Sequence, residues 1–359
     1  MKLSDKYRFL LKGTMLSALV AIAGALTSCD SVIFDEQGDC SVHYRLSFRY
    51  TKNILNADAF GSQVTDVNVA IYDSNGTMVY KITESRDLTT DNDFFIDVDI
   101  DPGRYDIVAW CEGQAVADDA ISFTLEGQNL GDAMTLSGAN LPLSEENGTL
   151  FSDKDIKPLY YGSLTDVEFP DSYGIVEIEP IPLTRDTNRL TVQLQNLNGA
   201  PIDPAILDVK LEGSNSSINY ENQIIGNTKF TYTPWYIRST YSDPEMTPAT
   251  RPSVADGDIP NGVQAELSTG RFMVGVEQQL TISLKDTGDK ILSIPLVQYL
   301  LLVRGQAQQT ISAQDYLDRY VEFSIVFFID EAYVWDRSKI YINNWRVVPP
   351  QNGGIQYED

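Results

Sequence analysis

One histidine, His43, stands in 359 residues, and that scarcity excludes much chemistry at once. A Ser-His-Asp set would have to be assembled around this residue, yet the alternation of its strand turns it away from the apolar side. No glycine-rich phosphate loop opens a helix, and no His-Glu-x-x-His segment exists. Cysteine is nearly as sparse, with Cys29, Cys40 and Cys111 only. Three are too few for a disulfide framework and too scattered for a zinc site. Positive charge is short, 26 Lys and Arg against 51 Asp and Glu, for a net charge of −25. Nucleic acid and anionic lipid repel such a surface. An apolar run of the roughly 20 residues needed to span a bilayer is absent too.

The acidic residues that dominate the charge select no reaction. Asp97, Asp99 and Asp101 match the first half of a calcium loop. The sixth position is Pro102 rather than Gly, and the twelfth is Val108 rather than a bidentate Glu, so the pattern fails. No feature picks out a carboxylate pair for glycoside hydrolysis. The reading is of a protein that is not an enzyme and holds no cofactor or metal.

What is present begins at the amino terminus. Lys2, Lys6, Arg8 and Lys12 precede the short apolar run from Met15 to Leu26, the plan of a secretory signal peptide. Leu26-Thr27-Ser28-Cys29 resembles the bacterial lipobox, in which the cysteine sulfur takes a diacylglyceryl group and cleavage follows just before it. Residues 1–28 are thus read as a lipoprotein signal, Cys29 as the lipid attachment site and 29–39 as a tether. Removing residues 1–28 takes away four basic residues and one acidic one, leaving 22 against 50 and a net charge of −28. Several acyl chains on one residue, at about 0.8 kcal/mol per buried methylene, hold a body at a membrane without further contact. With Cys29 committed to lipid, a Cys40–Cys111 bridge and a small buried thiol at Cys111 both remain open.

Period-two alternation governs the rest, with turn signals between short strands, which reads as an all-β sandwich architecture. Val42, Tyr44, Leu46, Phe48 and Tyr50 share one face of the first strand. Val67–Tyr72 and Thr77–Ile82 flank Asp73-Ser-Asn-Gly76 and predict a hairpin. Strands follow at Phe94–Ile100 and Arg104–Trp110. A second cycle starts near Thr184, with Arg189–Gln195 and then Leu207–Glu212 before a Gly-Ser-Asn turn, an echo of the first hairpin. Length and this rhythm divide the chain into an N-terminal sandwich, 40–183, a C-terminal sandwich, 184–348, and a tail, 349–359. Residues 239–262 read as a long polar loop. Gln309–Tyr320 reads as a short helix capped by Ser312. Glu322–Ile329, Lys339–Ile342 and Trp345–Val348 end the fold, with Asn343-Asn344 as a turn.

The order of landmarks resembles the FimB/Mfa2 family of fimbrial anchor and accessory subunits from Bacteroidales. They are Cys29, Cys40–Tyr50, Ala57-Asp-Ala-Phe60, the Val67–Gly76 hairpin, Pro102–Trp110, Pro158-Leu-Tyr-Tyr-Gly162, Asp315–Arg319, Glu322–Ile325 and Ile340–Trp345. Cys111-Glu112 departs from the small or glycine-rich turn expected after Trp110. The resemblance implies two tandem transthyretin-like, Greek-key β-sandwich domains and a place in a type V pilus. Stalk subunits of such pili lose a first strand and accept one from a neighbour, which is β-augmentation. An anchor keeps its first strand and its lipid. The implied partners are fimbrillin subunits and, through Cys29, the outer membrane. The terminal segment carrying Lys339, Ile340, Tyr341, Ile342, Trp345 and Val347 is the candidate subunit-contact strand, and deleting 337–359 is expected to leave a folded lipoprotein. Closure of the C-terminal sandwich is the competing role for that segment. A surface adhesin that binds glycan or host protein, using some of the nineteen Tyr and four Trp, is the alternative function.

Overall fold

The computed structural model describes residues 42–88, 94–241, 261–304, 310–338 and 340–347. The first strand behaves as its alternation requires. Tyr44, Leu46, Phe48 and Tyr50 are buried, while Arg49 on the opposite face is exposed. Val42–Leu46 runs parallel to Gly174–Glu177 and antiparallel to Ile96–Val98 in a three-stranded sheet. Two residues on, Phe48–Arg49 joins a second sheet by pairing with Ile181–Arg185. One continuous segment therefore stitches the corner of a sandwich, a usual place for a strand to change sheets.

That second sheet has six strands in the order Phe48–Arg49, Ile181–Arg185, Leu159–Phe169, Gly103–Gly113, Val64–Tyr72 and Met78–Ser85. Its centre is buried on both sides, which is why Ile107-Val-Ala-Trp-Cys111 is an unbroken apolar run and not an alternating one. Ile107, Ala109 and Cys111 pack with Val67, Val69 and Ile71 against the three-stranded sheet. Val108, Trp110, Ala70 and Tyr72 face the other way into a larger core that continues through the C-terminal half. Among the described residues Cys111 is a free, buried thiol whose pKa burial pushes up. Its strand continues to Gly113 without the turn expected after Trp110. Cys29 and Cys40 lie outside the described residues. The predicted hairpin forms, with Asp73 Oδ1 accepting from the backbone N–H groups of Asn75 and Thr77, both at 2.9 Å. Gly76 closes the turn at φ +74°, a conformation glycine takes at no steric cost. Gly162 is fixed by crowding, because a Cβ there would lie 2.7 Å from both Ile181 Cγ2 and Leu183 Cδ2.

Beyond Asp186 the chain builds two further six-stranded sheets. In one, Thr187–Asn196 lies between Gly262–Gly270, antiparallel, and Glu322–Ile329, parallel. Tyr236–Thr240 edges this sheet on one side, and Ile340–Ile342 then Trp345–Val347 edge it on the other. The facing sheet runs Lys290–Pro295, Gln279–Leu284, Leu207–Gly213, Phe230–Tyr232, Thr149–Ser152, Ser144–Glu146. Its last two strands come from before residue 184, and Gly138–Asn140 likewise pairs with Ser217–Asn219. The two halves are interleaved between 138 and 152. Leu207–Gly213 also departs from the expected hairpin by pairing with Phe230–Tyr232 and Gln279–Leu284. The reason is at the supposed turn: Asn215 is buried, accepts from the Tyr232 hydroxyl at 3.1 Å and donates to the Arg271 carbonyl at 3.0 Å.

Helix is scarce. Ala313–Arg319 forms where expected, capped by Ser312 Oγ, which accepts from the Asp315 N–H at 3.1 Å. Leu296–Leu301 is a second short helix, whose apolar run carries no period that separates helix from buried strand. No helix among the described residues is long and apolar enough to cross a membrane. Most of the 239–262 loop lies outside the described residues, between the paired strands Tyr236–Thr240 and Gly262–Gly270.

Candidate subunit interface

The first strand is held on both faces. Its inner side fills a groove with Tyr44 edge-on to Phe169 at 4.7 Å and Phe48 stacked on Phe60 at 5.3 Å. On its outer side Arg45 pairs with Asp97 at 3.0 Å and lies 3.5 Å over the Phe95 ring. His43 is on that outer side too, opposite Ile175 in the sheet register. Of the acidic stretch, Asp97 is thus engaged by an arginine. Among the described residues no group of three His, Cys, Asp or Glu side chains is placed to hold a metal ion.

The terminal hairpin is turned by Asn343 and Asn344 at φ +48° and +68°, the left-handed pair that a two-residue hairpin requires. Ile340 and Ile342 are fully buried, Val347 nearly so, and Tyr341 packs edge-on to Phe328 at 5.8 Å. Trp345 is 48% exposed on the outermost described strand of its sheet. Lys339 lies outside the described residues. The segment therefore closes the C-terminal core with Ile340, Ile342 and Val347 and presents an edge with Trp345 and Arg346. This corrects the expectation that removing 337–359 leaves a folded body, because three core side chains would go with it.

Two buried charge networks, both unforeseen in sequence, tie the halves together. Asp318 receives Lys52 at 2.6 Å and a two-point contact from Arg271 at 2.9 and 2.8 Å. Burial pushes Asp318 up, but hydrogen bonds and charge from Arg271 and Lys52 outweigh it and hold the carboxyl below its usual range. Asp186 lies 3.6 Å from the same guanidinium and accepts only from Asn222 Nδ2, at 3.2 Å. Burial dominates there and raises its pKa to about 7. In the second network the buried Asp155 accepts from Arg189 Nη2 at 2.9 and 3.0 Å, from Ser268 Oγ, and from the N–H groups of Val116 and Ala117 at 2.8 and 3.0 Å. Burial opposes its ionisation, yet these donors keep its pKa low. Charged residues read as surface in a sequence, and only their separations of tens to hundreds of positions show that they staple the halves.

The described residues form an all-β body of interleaved sheets, with the first described strand seated in its own groove and the last described strand at a sheet edge. The match to a family model over residues 36–349 makes the assignment: the chain belongs to the family of Fimbrillin-A associated anchor proteins Mfa1 and Mfa2. It is 24% identical over 293 residues to the minor fimbrium anchoring subunit Mfa2 of Porphyromonas gingivalis, covering 80% of each chain. The solved structure of that organism's fimbrial anchor protein Mfa2 shares the fold at a TM-score of 0.58 and 18% identity, over 86% of this chain and 99% of that one. A candidate adhesin of Bacteroides thetaiotaomicron matches at a TM-score of 0.69 and 26% identity, over 87% and 99%. A candidate polysaccharide-binding protein of the same organism matches at 0.70 and 24%, with the same coverage.

Proposed function

We propose that this protein is a surface lipoprotein that terminates a fimbria at the outer membrane, held there by lipid on Cys29. The observation that carries the reading is the seated first strand. Strand exchange needs an empty groove whose pockets take alternate side chains of an incoming strand. Here those pockets hold the chain's own Tyr44, Leu46, Phe48 and Tyr50, all buried. A subunit in this state accepts no strand at that groove and so ends a polymer. Contact with a fimbrillin subunit is then left to other surfaces, of which the Trp345–Val347 edge offers strand backbone unpaired among the described residues and a half-exposed ring.

Mass spectrometry of the protein that co-purifies with fimbriae tests this. The expected mature terminus is an acylated Cys29, with Val42–Tyr50 still attached. A terminus beyond Arg45 or Arg49 would mean that the groove is vacated and that the protein is an incorporated subunit.

A further inference from the structure

A cleft of about 940 Å³ opens between the two halves, walled by the loop after Tyr50, the start of the Glu322–Ile329 strand and the Asn343-Asn344 turn. At its floor lies Arg185, only 7% exposed. Its Nε donates to Thr187 Oγ1 at 3.3 Å, and none of the ion pairs among the described residues includes it, although Asp58 and Glu322 line the same cleft. Arg189 and Arg319 on the same wall are satisfied by Asp155 and Asp315. A buried guanidinium without a counter-charge is costly, and a chain with 51 acidic residues has many available to supply one. Beside it the Tyr50 hydroxyl is buried with no partner. The rim is aliphatic, with Ile54, Leu55 and Val116 exposed at 48, 78 and 65%.

We propose that this cleft takes a polypeptide segment carrying a carboxylate beside aliphatic side chains, with Arg185 receiving the carboxylate. The guanidinium fork matches a carboxylate at two points. Leu55, Ile54 and Val116 supply apolar contact to neighbouring side chains. The rings of Tyr50, Tyr160 and Phe323 are sunk in the wall, and among the lining rings Tyr320 alone is part-exposed, which gives a sugar little face to stack on. The net charge of −25 repels polyanionic chains while one buried cation still selects a single acid group. The partner's identity rests on the reading above, under which the segment belongs to a neighbouring fimbrial subunit; the chemistry of the cleft does not.

Calorimetry on the full lipoprotein in detergent tests this with three probes: N-acetyl-Leu-Asp-Leu-amide, its Asn counterpart and glucuronate. The Asp peptide should bind at least tenfold more tightly than the other two. Arg185→Gln should weaken it at least tenfold, Arg185→Lys several-fold, and the rim change Leu55→Ser several-fold without lowering the melting temperature. If Arg185→Gln does not fold, Arg185→Lys and Leu55→Ser decide. No binding of the Asp peptide, equal binding of the Asn peptide, preference for glucuronate, or unchanged affinity in the variants that fold overturns the proposal. A protein that binds the peptide but does not retain fimbriae contradicts the anchor reading alone. One that retains fimbriae without binding the peptide contradicts this proposal alone.

Discussion

Asp186 couples the stability of the folded chain to pH. Its ordinary pKa of 3.8 rises to about 7 in the folded chain because burial strips its hydration and Arg271 offsets only part of that loss. The folded state therefore keeps a proton that the unfolded chain releases between about pH 4 and 7. Stability from this group is greatest at the acid end of that window and falls as pH rises through it. The slope approaches about 1.4 kcal/mol per pH unit for one proton. Asp318 and Asp155, held below the usual carboxylate range, act in the opposite sense, and their stabilisation is lost only as pH falls below about 4. Urea unfolding at pH 5 and 7.5 should show Asp186→Asn losing less stability than the wild type over that rise. Equal losses would remove Asp186 as the cause. Gly162 makes a second residue-scale test. A Cβ there meets two apolar side chains and the Pro182 carbonyl within 2.9 Å, so Gly162→Ala should cost about 1–3 kcal/mol in the same assay.

At the scale of elements, the terminal hairpin separates two roles that position alone leaves joined. Full burial of a Val- or Ile-sized side chain contributes about 1.5–3 kcal/mol. Losing Ile340, Ile342 and Val347 together then removes a large part of the roughly 5–15 kcal/mol that holds a typical domain. Truncation before Ile340 should yield no cooperatively folded protein by circular dichroism. Trp345→Ala touches only an exposed ring and should leave the melting temperature within a few degrees, while lowering fimbrial retention. Unchanged retention in that variant would sink the contact edge. Alternation revealed the first strand, the 67–82 hairpin and the Glu322–Ile329 strand because each has one face in a core, and Ser312 announced its helix by chemistry specific to a cap. Alternation says which side chains point inward and nothing of which strand lies alongside. That is why the pairing of 138–152 with strands after 184 was hidden. Leu296–Leu301 was hidden for a related reason, since six residues are too short a run for period to separate helix from strand.

For the whole molecule, interleaved sheets and buried charge staples join the two halves of an acidic body, and on the proposed function that body carries tension between a polymer and a membrane. The staples join residues as distant as Lys52 and Asp318. A strand of the N-terminal half seated in the C-terminal sheet system, Thr149–Ser152 beside Phe230–Tyr232, would have to separate before the halves could part. On the proposed account this unit passes its load to the membrane through Cys29 alone. The direct measurement is the partition of fimbriae between cells and medium in a strain carrying Cys29→Ala, with the amount of the variant protein measured alongside. The account predicts assembled fimbriae released into the medium at near wild-type total yield. Fimbriae that stay on the cells at wild-type levels would contradict it.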